Sequence, residues 1–132
     1  MKKKATILMI DDDPDFVEST RIALESKNYN VIVATSGDEG LRKAQNEKPD
    51  LILLDVIMPG KDGFTTAELM KKDSGIKKIP VLMLTSFAQR GGGTGIPRSR
   101  GMALETEDYI DKTVKTDELL VKVQEHLKKI GL

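Results

Sequence analysis

The feature that most limits how this chain can fold is a series of short apolar runs, each closed by a polar group. Ile7-Leu8-Met9-Ile10 runs into Asp11-Asp12-Asp13, Val31-Ile32-Val33-Ala34 into Thr35-Ser36, and Leu51-Ile52-Leu53-Leu54 into Asp55. Val81-Leu82-Met83-Leu84 runs into Thr85-Ser86, and a weaker Tyr109-Ile110 into Asp111-Lys112. Four consecutive apolar residues leave no polar face, so each run suits a strand covered on both sides. Helical signals fill the intervals. Asp13 can cap a helix with Pro14 in its first turn, and a second helix begins near Ser36, continues through Leu41 and Ala44 and stops before Pro49. A third spans about Phe64 to Lys72 and ends at Ser74-Gly75, and the last starts at Thr116-Asp117 with Leu120, Val123, Leu127 and Ile130 on one stripe.

Strict alternation of strand and helix predicts an α/β fold: a doubly wound, five-stranded parallel sheet with helices on both faces. Ligands of such sheets bind beyond the carboxyl ends of the strands, where strand order reverses. With the order 2-1-3-4-5, the groups ending strands one, three, four and five share that edge. Asp11, Asp12, Asp55, Thr85 and Lys112 then occupy one pocket. Crowded carboxylates are unfavourable without a compensating cation. Oxygen ligands with no histidine or cysteine nearby favour magnesium, which keeps water and binds substrate phosphate. A calcium loop fails on spacing: Asp11-x-Asp13-x-Asp15 starts like one, but Phe16 stands at the glycine position and Ile22 at the bidentate glutamate position. Asp13 reads as a helix cap instead.

Composition removes other classes. The 132 residues fit one domain, with no room for a second of ordinary size. Lysine plus arginine and aspartate plus glutamate number 21 each, and aromatics are only 4%, so neither a basic footprint nor stacking platforms for nucleic acid are visible. No apolar run is long enough to span a bilayer. The absence of cysteine excludes disulfides, thiolate metal sites and a cysteine nucleophile, and fits the cytoplasm. The basic start Met1-Lys2-Lys3-Lys4 precedes too short an apolar stretch for a signal peptide.

In this order and at these strand ends, the motifs resemble the receiver domain of two-component response regulators, near the single-domain chemotaxis type. The resemblance rests on Ile7 to Pro14, on Pro49-Asp50-Leu51-Ile52-Leu53-Leu54-Asp55-Val56-Ile57-Met58-Pro59-Gly60-Lys61-Asp62-Gly63-Phe64, on Ile79 to Ser86, and on Asp108-Tyr109-Ile110-Asp111-Lys112. It covers nearly the whole chain and implies a flavodoxin-like fold. It further implies that Asp55 is the phosphoacceptor, that Asp11 and Asp12 hold Mg2+ with Asp55 and the backbone carbonyl of Ile57, and that Thr85 and Lys112 contact the phosphoryl group. Thr85 and Tyr109 would form the switch. The implied partners are a sensor histidine kinase or phosphotransfer protein as donor and a downstream protein as target. No nucleic acid, membrane span, output domain after Leu132 or diffusible-substrate turnover is expected.

Two rival readings share the fold or the chemistry. A pseudo-receiver would keep the fold without phosphorylation, although every acidic, hydroxyl and lysine position is present. An aspartyl phosphatase would need a second acid two residues beyond Asp55, where Ile57 stands. The chain departs from the family in two places. Thr113 replaces the usual proline after the lysine. Between strands four and five, Gly91, Gly92, Gly93, Gly95, Pro97 and Gly101 oppose helix formation, which predicts that the family's fourth helix is shortened or disordered. His126, the single histidine, is expected on the solvated surface near the end of the last helix.

Overall fold

A computed structural model of the chain describes residues 4–56, 63–85 and 108–132. Its strands are β1 (Thr6–Ile10), β2 (Asn30–Ala34), β3 (Leu51–Asp55), β4 (Val81–Thr85) and β5 (Asp108–Asp111). Its helices are α1 (Pro14–Ser26), α2 (Gly37–Glu47), α3 (Gly63–Lys72) and α4 (Thr116–Lys129). All strands pair in parallel, as the alternation predicts, and their order is the expected β2-β1-β3-β4-β5. The expected loss of helix between β4 and β5, and the Ile57 carbonyl, lie outside the described residues.

The alternation of side chains along each strand divides the core in two. Leu8, Ile10, Ile52, Leu54, Val81 and Met83 point to one face, where they pack with Ala44 of α2 and Phe64, Ala67 and Met70 of α3. Ile7, Met9, Leu51, Leu53, Leu82, Leu84 and Ile110 point to the other, against Leu24 of α1 and Leu119, Val123 and Leu127 of α4. A sheet apolar on both faces requires this double covering, because neither face can be left to water at about 25 cal/mol per Å2.

Local chemistry starts the helices where the sequence places them. Asp13 caps α1 by accepting from the backbone N–H groups of Asp15 (3.1 Å) and Phe16 (3.3 Å), with Pro14 at the first helical position. Ser36 caps α2 by accepting from Glu39 N at 3.2 Å, while the Glu39 carboxylate turns back to Thr35 N at 2.7 Å. That backbone hydrogen bond, outweighing a small cost of burial, holds the Glu39 carboxyl below its usual range.

The buried stripe of α4 differs from the expected one. Leu119, Val123, His126 and Leu127 are buried, whereas Leu120 is half-buried and Ile130 is 45% exposed. The helix is rotated toward Leu119, and His126 is not a solvated surface residue. Its Nε2 lies 3.2 Å from Asp108 Oδ2, and Lys122 Nζ reaches the same oxygen at 3.1 Å. A histidine can join an apolar stripe because an acid at the start of β5 satisfies its ring nitrogen. Burial works to raise the Asp108 carboxyl, but His126, the Tyr109 N–H and Lys122 together hold it below its ordinary value.

Candidate functional site

Strand register builds the site before any side chain is considered. Ile10 pairs with Leu54, so Asp11 and Asp55 leave adjacent strands at the same level. Asp55 pairs with Leu84 and Thr85 with Asp111, which brings Thr85 and Lys112 to the same edge. The chain turns there within hydrogen-bonded distance: Val56 N donates to Leu84 O at 3.0 Å and Lys112 N to Thr85 O at 2.6 Å.

Asp11 is fully buried and Asp55 is 3% exposed, while Asp12 stands in solvent. One oxygen from each of these three carboxylates lies within 4.8 Å of the others. Asp11 divides its oxygens between two tasks. Oδ1 accepts from Asp13 N at 2.9 Å, fixing the turn into α1, and Oδ2 lies 2.9 Å from Lys112 Nζ. The same ammonium is 3.7 Å from Asp55 Oδ2 and sits over the Phe16 ring, 4.7 Å from its centroid. Burial alone would push the Lys112 pKa down. The close ion pair with Asp11, aided by the charges of Asp55 and Asp13, outweighs it and raises that pKa above the usual lysine value. The lysine is therefore a fixed positive charge.

Thr85 is completely buried, and its Oγ1 has no hydrogen-bond partner among the described residues. A buried hydroxyl left unsatisfied is costly in a finished core, so its place at this edge is consistent with a ligand oxygen as its partner. Among the described residues, three carboxylates against one ammonium also leave excess negative charge, and the donors they offer are all oxygen. The residues fit a hard divalent cation.

Two supports were not legible in the sequence. Gly63 opens α3 directly against the peptide of Asp55: its N–H donates to Val56 O at 2.7 Å, and a Cβ there would overlap the Asp55 carbonyl oxygen. The turn after Lys112 is held without proline. Asp111 Oδ1 accepts from both Thr113 N (2.9 Å) and Thr113 Oγ1 (2.7 Å), a side-chain-closed turn that uses the N–H a proline would lack. Tyr109 is half-buried and packs against the α2–α3 side of the core.

A family model described as the response regulator receiver domain matches residues 7–124. The chain belongs to this family. Among curated relatives, the receiver is 36% identical over 93% of its length to the DNA-binding dual master transcriptional regulator RpaA of Synechocystis, of which it spans 49%. It is 33% identical over 88% of its length to Protein PilH of Pseudomonas aeruginosa, spanning 92% of that protein. It spans 50% of the regulator PhoP of Bacillus subtilis as well, so it covers about half of several relatives that it matches. Among solved structures, a response regulator of Chloroflexus aurantiacus superposes with a TM-score of 0.84 at 30% identity, covering 96% of this chain and 99% of that one. A chemotaxis protein of Vibrio cholerae gives 0.81 at 28%, covering 93% and 98%. No helix among the described residues is long and apolar enough to cross a membrane.

Proposed function

We propose that this receiver is a phosphorylation-dependent switch in which Asp55 is the acceptor. The observation that carries the reading is the convergence, on one sheet edge, of a nearly buried Asp55 with the Lys112 ammonium at 3.7 Å and two further carboxylates within 4.8 Å. An Asp55 oxygen attacks phosphorus, the P–N bond of a donor phosphohistidine breaks, and its electron pair leaves with the imidazole. Magnesium held by Asp11, Asp12 and Asp55 would neutralise charge on the phosphoryl oxygens. Lys112 supplies a permanent positive charge beside the acceptor, and the unpartnered Thr85 hydroxyl offers a donor to a phosphoryl oxygen. A covalent phosphoryl group brings about two negative charges, which draw Thr85 and Lys112 toward Asp55 and alter the surface around β5 and Tyr109. A partner protein reads that surface, and a histidine kinase or phosphotransfer protein in the cytoplasm supplies the phosphoryl group. Single-turnover group transfer of this kind is signalling rather than substrate turnover.

Incubation with acetyl phosphate and Mg2+, followed by intact mass measurement, tests the reading. One phosphoryl adduct is expected on the wild-type chain and none on Asp55→Asn. A folded wild-type chain that takes up no phosphoryl group, or an Asp55→Asn chain that still does, would overturn it.

A further inference from the structure

Among the described residues, the Lys112 ammonium lies close to two acids and to one group that is not an acid. Asp11 Oδ2 lies at 2.9 Å, Asp55 Oδ2 at 3.7 Å, and the Phe16 ring centroid at 4.7 Å. We propose that Phe16 is a positioning residue for Lys112, its ring face holding the ammonium between Asp11 and Asp55. The inference rests on the proposed role of Lys112 in phosphoryl transfer, and goes beyond it by assigning a role to an aromatic residue on α1.

The placement of the ring follows from the loop that supplies the acids. Asp11 fixes Asp13 N, Asp13 caps α1, and the second N–H that Asp13 accepts belongs to Phe16 itself. The backbone of Phe16 is thus tied to the cluster at two removes from Asp11. Its ring is half-buried, packed at the margin of the core formed with α4, which restricts its rotation.

The chemistry explains why a ring suits this position. A lysine side chain has four flexible carbons and about 2 kcal/mol of rotamer entropy, so an ammonium held only by carboxylates can swing among them. Another carboxylate would hold it more tightly but would deepen the repulsion within the cluster. An aromatic face attracts the cation through its quadrupole and adds no net charge. It also offers no hydrogen-bond acceptor, so the donors of the ammonium remain available to Asp11 in one state and to a phosphoryl oxygen on Asp55 in the other.

The test uses the whole chain with Phe16→Leu, Phe16→Met and Phe16→Tyr, each alone and combined with Lys112→Met. Leucine and methionine keep apolar packing and lose the ring, and either serves if the other unfolds. NMR of chain carrying 13C-lysine reads the ring directly, because ε-methylene protons over an aromatic face move upfield. The shift should vanish in the aliphatic variants and persist in Phe16→Tyr. Labelling by acetyl phosphate should slow by about five-fold in the aliphatic variants, as expected for loss of one partly desolvated cation–π contact, and recover in Phe16→Tyr. In the Lys112→Met background the aliphatic change should add nothing. An unchanged lysine shift in the aliphatic variants, or equal slowing with and without Lys112, would show Phe16 to be ordinary packing. A wild-type chain that shows the ring shift yet takes no phosphoryl group would support the positioning and overturn the switch.

Discussion

Replacing Asp55 with asparagine removes one charge from the cluster while keeping the shape of the side chain, and the sign of its effect on stability follows from the geometry. Asp11 and Asp55 offer oxygens within 4.8 Å of each other, which at an effective dielectric of about 20 is a repulsion of at least ~3.5 kcal/mol. The exposed Asp12 adds less, because water and salt screen it. Against this stands the attraction of Lys112 at 3.7 Å, about 4.5 kcal/mol by the same rule. These terms nearly cancel. What remains is the desolvation of a carboxylate only 3% exposed, an effective penalty of several kcal/mol that asparagine largely avoids, less the hydrogen bonds that an amide makes less well. The net expectation without metal is a gain of about 1–2 kcal/mol, or roughly 3–8 °C in melting midpoint at this chain length. Magnesium reverses the order. It stabilises whichever chain binds it by mass action, so millimolar Mg2+ should raise the wild-type midpoint more than that of Asp55→Asn. Thermal melts with EDTA and with Mg2+ read both effects. An Asp55→Asn chain that melts below wild type in EDTA, or that gains as much from Mg2+, would refute the argument that unbalanced charge at this edge is held for a cation.

Gly63→Ala should cost about 3 kcal/mol, because the new methyl meets the Asp55 carbonyl and the Val56 Cα at 2.8 Å, backbone atoms that cannot rotate away; urea unfolding measures it, and a loss under about 0.5 kcal/mol would show that α3 is free to shift. Thr113→Pro, which restores the family's usual residue, should destabilise this chain by about 1–3 kcal/mol because Asp111 loses both the N–H and the hydroxyl it accepts from. An unchanged or raised melting midpoint would show that this turn does not depend on them. Asp108, whose folded carboxyl lies below its usual value, contributes stability that is present above about pH 4 and is lost as pH falls through the lowered value. Unfolding at pH 6 and pH 3 should therefore show a shallower acid loss for Asp108→Asn than for wild type, and equal slopes would remove the His126–Asp108–Lys122 group from the account.

The apolar runs and their polar ends determined much of this protein without reference to any coordinate. A run such as Leu51-Ile52-Leu53-Leu54 suits a strand covered on both faces, and four such runs and a weaker fifth, alternating with helical signals, leave the parallel sheet as the economical answer. Asp11, Asp55, Thr85 and Lys112 were legible as a group because each ends a strand, and parallel register carries strand ends to one edge. Asp13 was legible as a cap because capping is local. What the sequence could not reveal depends on how helices sit against the sheet. The periodicity of α4 is compatible with a stripe through Leu120 and Ile130, yet packing against Leu24 and Ile110 selects the neighbouring stripe through Leu119 and brings His126 inward to Asp108, eighteen positions away. The ring of Phe16 meets Lys112 across 96 residues of chain, and Gly63 is required by a carbonyl on another element. Periodicity fixes which residues share a face of a helix; the rotation of that face is fixed only by the side chains it must fit between, and those come from distant parts of the chain.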